Sequence, residues 1–217
     1  MKTKLIPLFF LVSSLTITAC GNTANDVKND DSPNKVIDLK DRLSVNDKKI
    51  IENYNNVASN VITSSDENKI KNALTPLIPD IKNIEDKKQR ERILMNVYLL
   101  LNMNKEAYIL NEQQLKEKNT TSKLVFKCQL LKKLNEEQNT IQQCHEAAAN
   151  AIKQDLGASQ KNDPMYPFAE FSYFLEMYQA GHQEYLSKMK NSIDAMKDES
   201  MKQGALIMYE DVINKAR

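Results

Sequence analysis

The chain has 217 residues, with 30 basic and 29 acidic side chains and a formal net charge of +1, so no strong field marks it for nucleic acid or an anionic surface. Four glycines, six prolines and no tryptophan, in a background rich in Lys, Glu, Asn, Gln, Leu and Ala, favour an all-α fold. No segment alternates apolar and polar residues for long enough to compete as a strand.

The chain opens like an export signal. Lys2 and Lys4 supply a charged start, Leu5 to Leu15 an apolar run, and small residues follow before a cysteine. The run is too short for a permanent membrane helix, which needs about 20 residues. Ile17-Thr18-Ala19-Cys20 resembles the lipobox of bacterial lipoproteins: a branched apolar residue, two small residues, then Cys. The resemblance implies cleavage after Ala19, lipid on the Cys20 sulfur and an acylated amino terminus. Two or more acyl chains make such an anchor stable. Gly21 stands where Asp commonly signals inner-membrane retention in Gram-negative lipoproteins, so the resemblance implies the outer membrane, facing the periplasm.

Residues 1–19 are thus read as a cleaved signal and residues 20–34 as a lipid-anchored tether. Val27 is the one sizeable apolar residue between Gly21 and Asn34, too little to build a core. A coil of this length reaches about 20 Å. Residues 35–217 read as a single all-helical domain with a minor break near 158–164.

Ser44 with Asp47 three residues on marks the first helix start, followed by Ile50, Tyr54, Val57 and Val61 at helical spacing. Ser64-Ser65-Asp66 marks a second, whose apolar face is Ile70, Leu74, Leu77, Ile81 and Ile84. Pro76 and Pro79 must kink or shorten it. Further helices are expected at about 86–101, 105–117, 121–134 and 137–156, the last closed by Gly157 in the left-handed position. After Asp163-Pro164 come helices at about 167–179, 182–196 and 198–216, with Gly181 between the first two.

Long helices joined by short turns predict antiparallel hairpins. The segment Met95 to Tyr98, through Asn104-Lys105-Glu106-Ala107, resembles a tetratricopeptide hairpin, with Tyr98 and Ala107 at the aromatic and small positions. Glu91 departs from that pattern, and the spacing of later turns is uneven. The resemblance implies a stacked array of helical hairpins.

Cys128 and Cys144 lie at equal distance from a turn expected near residue 136, so an antiparallel hairpin brings their sulfurs together. In an exported protein such a pair is expected to form a disulfide. A metal site is not expected: His145 is adjacent in sequence, yet neighbours on a helix diverge by about 100°, and no further ligand has suitable spacing.

Catalytic signatures are missing from the sequence. His145-Glu146 is followed by Ala149 where a zinc protease helix needs its second His, and no nucleophile elbow or phosphate-binding glycine loop occurs. No enzyme and no cofactor are expected. Seven aromatics crowd between Tyr166 and Tyr185. Phe171, Phe174 and Tyr178 share one face and read as core. Tyr166, Phe168 and Tyr173 are the candidate partner-binding residues, because aromatic side chains concentrate at interface centres. The functional expectation is an anchored envelope module that binds another protein, as a scaffold for assembly, secretion or wall remodelling. The alternative is an inhibitor, such as an immunity lipoprotein against a toxin delivered into the periplasm.

Overall fold

Ser44 opens the first helix, its hydroxyl accepting the Asp47 amide at 3.0 Å. The computed structural model describes residues 43–216, with side chains to 214; the expected signal, Cys20 and the tether lie outside the described residues. The described part is all-α. Its helices are α1 (Val45–Val61), α2 (Glu67–Leu74), α3 (Ile78–Lys82), α4 (Lys87–Leu100), α5 (Asn104–Glu117), α6 (Thr121–Lys133), α7 (Gln138–Ala158), α8 (Tyr166–Gln179), α9 (Tyr185–Ala195) and α10 (Glu199–Ala216). No described helix is long and apolar enough to cross a membrane.

Asp66 caps α2 and Asp86 caps α4, each accepting first-turn amides. The two prolines shorten the second helix as expected. A 3-10 turn, Thr75–Leu77, divides α2 from α3, and Pro76 and Pro79 fill first-turn positions where an N–H has no helical partner. Leu74, Ile81, Ile84, Ile93 and Val97 close over one another with no more than 1% of their surface exposed, forming the largest core cluster.

Asp47 carries that cluster's most consequential polar contact. Its carboxylate reaches beyond α1, accepting the Glu85 amide at 2.9 Å and the Asp86 amide at 3.0 Å. Arg90 holds the same loop from the other side, donating to the carbonyls of Ile84 and Glu85. Burial opposes the charge on Asp47, but the two amides, the Ser44 hydroxyl and Arg90 outweigh it, so the group titrates below its ordinary 3.8.

From α4 onward the helices pair in chain order. Opposite ends meet in the first three pairs: Glu91 accepts from Gln114 at 2.9 Å, Lys123 donates to the Gln114 carbonyl at 2.7 Å, and Thr121 bonds Asp155 at 2.7 Å. This is the antiparallel arrangement. Three turns share one chemistry. Asn102 and Asn135 sit at φ 54° and 56° and Gly181 at φ 108°. In each, the next amide reaches back five residues: Met103 to Tyr98, Glu136 to Leu131, His182 to Met177. A side chain at Gly181 would also meet the Gln142 amide nitrogen at 3.0 Å. Because the His182 amide is held back to α8, α9 begins at Tyr185 rather than at His182.

Gly157 does not close α7. The helix runs on to Ala158, a strong helix former, and Ser159 ends it, its hydroxyl donating to the Asp155 carbonyl at 2.8 Å. A Cβ at Gly157 would meet nothing within 4 Å.

Replacing Gly157 by Ala is therefore expected to stabilise the fold by about 0.5–1 kcal/mol in urea melts, by restricting the unfolded chain. Asp47→Ala strands two amides and should cost about 2–4 kcal/mol. Since folding lowers the Asp47 pKa, the unfolded chain takes up the proton first on acidification. The Asp47 contribution is complete above the ordinary carboxylate range and disappears as pH falls below about 4. The acid limb of a stability–pH curve should accordingly be shallower in Asp47→Ala.

Candidate functional site

Two arrangements have chemical interest: an aromatic surface on α8 and α9, and a buried polar cluster where α6, α7 and α8 meet. The surface contains the candidate partner residues, and they divide. All three are half-buried, and of the three it is Phe168 that packs against the core cluster around Phe171, Met189 and Ile193. Phe171 is fully buried, and Phe174 and Tyr178 lean on the same cluster.

Tyr173 stands edge-on to Tyr185, with ring centroids 5.7 Å apart and hydroxyls 3.3 Å apart. Burial first, then the Tyr185 hydroxyl, pushes the Tyr173 phenol up to about 12. It therefore stays uncharged at neutral pH. Lys188 lies 4.0 Å above the Tyr185 ring, a cation–π contact at the solvent edge. Beside it, Glu170, Phe174, Lys188, Asn191, Ser192 and Ala195 line a shallow groove of about 240 Å³. Glu170 also bonds Ser192 across the helix pair at 3.1 Å. A second groove of about 530 Å³ lies where α5 meets the α6–α7 turn, lined by Tyr108, Leu131 and Leu134 and bordered by the half-exposed Ile109.

Inside, a disulfide joins Cys128 on α6 to Cys144 on α7, with Cα atoms 5.4 Å apart. Closing a loop of this length contributes about 3 kcal/mol in the chain-entropy account. Leu131, Ile141 and Ala148 pack around it.

His145, the next residue on α7, faces α8 instead. Its Nδ1 lies 2.7 Å from Oε2 of Glu176, and both residues are at most 3% exposed. Its Nε2 is buried with no partner among the described residues. A carboxylate only accepts hydrogen bonds, so Nδ1 carries the proton and, in the neutral ring, Nε2 presents its lone pair. One ligand atom from each of Cys128, His145 and Glu176 falls within 4.8 Å of the others. Reading metal spacing along α7 alone missed Glu176, which enters from a different helix. Its only trace in the sequence is that it is one of two carboxylates, with Glu170, inside the aromatic run of α8. His182, by contrast, lies at the surface, with its side chain 40% exposed and carboxylates of Glu146 and Glu184 at 4.0 and 3.9 Å.

Comparison of the chain with protein-family models, with curated proteins and with solved structures finds no match.

Removing one member of a buried hydrogen-bonded pair leaves the other's polar atoms unsatisfied. His145→Ala and Glu176→Ala should each cost about 1–3 kcal/mol in denaturant titrations, while His145→Leu with Glu176→Leu should cost well below the sum. Additive losses would show that the two groups do not act as a pair.

Proposed function

We propose that the chain is a lipid-anchored lipoprotein of the bacterial envelope whose helical domain binds another envelope protein without catalysing a reaction. The observation that carries this reading is the run Ile17-Thr18-Ala19-Cys20 behind a charged and apolar start. Cys20 is the acylated residue, residues 20–34 are the tether, and the outer membrane facing the periplasm is the destination.

Three features support a binding role. The helices pair in sequence through repeated turns, as in tetratricopeptide-like arrays, which expose side-chain surfaces between neighbouring hairpins. The first two of these turns lie 135 − 102 = 33 residues apart, a tetratricopeptide-like period, and the third comes 181 − 135 = 46 later. Tyr173, Tyr185 and Lys188 form an aromatic and cationic edge at the α8–α9 groove, with Tyr166 on the same helix as Tyr173. Phe168 acts behind that surface as packing.

Radiolabelled palmitate fed to expressing cells should label the chain. Cys20→Ser should remove the label and release the protein from the membrane fraction. Crosslinking in envelope extract should capture a partner, and Tyr166→Ala with Tyr173→Ala should weaken that complex at least tenfold, as expected for aromatic anchors. Unchanged binding excludes this surface. A wall- or lipid-degrading toxin as the partner replaces the scaffold reading with the inhibitor one.

A further inference from the structure

We propose that Met201 and Met208 are oxidation sites whose conversion to sulfoxides releases α10 from α8 and α9. Six of the chain's nine methionines lie beyond residue 160, and four of them, Met189, Met196, Met201 and Met208, meet in one apolar cluster with Phe171, Ile193 and Ala205. A thioether is apolar and packs well, yet it is one oxygen atom away from a polar sulfoxide.

The four sulfurs differ in access. Met189 and Met196 are 0% and 5% exposed, whereas Met201 and Met208 are half-buried. On α10, Met201, Ala205 and Met208 follow one another at spacings of four and three, which puts them on one face. Ala205 is fully buried, so that face is the docked one, and the two methionines flank it one turn to either side. Each packs against the cluster while remaining open to a solvent-borne oxidant. α8 and α9 share a broader contact with each other than either makes with α10, so α10 is the more weakly held of the three. A sulfoxide oxygen on this face either stays buried without a donor, which is unfavourable, or turns outward and takes its side chain from the cluster. Both outcomes weaken the docking of α10.

The oxidant is a peroxide, with hydrogen peroxide the simplest. The sulfur lone pair attacks one oxygen, an S–O bond forms and the O–O bond breaks. The departing hydroxide takes the proton from the transferred hydroxyl and leaves as water. Sulfur is oxidised by two electrons and the peroxide is reduced by two. Methionine sulfoxide reductases reverse the change, one enzyme for each sulfoxide epimer. The Cys128–Cys144 disulfide offers no thiol to compete for the oxidant.

Hydrogen peroxide is the probe, on the full chain carrying Cys20→Ser so that no free thiol consumes it. Peptide mass spectrometry should find one added oxygen on Met201 and on Met208 before Met189 and Met196 take any. Amide hydrogen exchange across α10 should then accelerate by about tenfold or more, while α6 and α7 keep their protection. Met201→Leu with Met208→Leu fills nearly the same space without sulfur. Its α10 should stay protected after the same treatment, although Met95, Met103, Met165 and Met177, also half-buried, are still oxidised. Repair of the oxidised chain by both reductases should restore slow exchange with no substitution made. Unchanged α10 exchange once both residues carry oxygen overturns the proposal, as does equal loosening in the leucine variant. Oxidation of Met189 and Met196 ahead of Met201 and Met208 overturns it too.

Discussion

Two consecutive residues of α7 hold the middle of the molecule together. Cys144 is bonded covalently to α6, and His145 is paired with a carboxylate on α8. Successive residues on a helix point about 100° apart, so one short stretch of backbone serves both neighbours at once. α7 makes its broadest contacts with these same two helices, and the small side chains of Ala148 and Ala149, both fully buried, let them approach. Any displacement of α7 must break a disulfide, separate a buried hydrogen-bonded pair, or carry three helices along together.

The N-terminal half is organised differently. There the apolar faces of α1 to α4 supply most of the burial, and the polar contribution is concentrated on Asp47 and Arg90. Apolar contact is tolerant of direction, whereas a carboxylate accepting two amides at 2.9 and 3.0 Å is not. The core of this half therefore supplies cohesion, and Asp47 selects the angle at which α1 meets the start of α4.

Helix positions were largely legible because capping residues and apolar spacing are local signals. Ser44, Asp66, Asp86 and Thr120 each cap a helix that the sequence reading starts at or beside them. Asp47 shows the limit of such reading: in sequence it is an N3 acid, yet its carboxylate serves a loop 38 residues away. Gly157 misled for the opposite reason, since glycine permits a left-handed end without requiring one. Asn102 and Asn135 take that conformation without being glycine, helped by a short polar side chain. In the candidate surface, Tyr173 and Phe168 differ by five residues, and whether each aromatic faced solvent or core depended on where α9 and α10 came to lie. The His145–Glu176 pair was the least visible, because nothing within 31 residues of sequence links its members.

The Asp47 latch also gives the chain a direction of mechanical resistance. A pull on the N-terminal side of α1 loads the element that has few neighbours beyond α2 and α3. Force then passes through the carboxylate into the loop that leads into α4. Hydrogen bonds to a charged group are stiff and short in range, so this joint yields little until it lets go completely. For α1 to leave the start of α4 under such a pull, both bonds from the Asp47 carboxylate have to part.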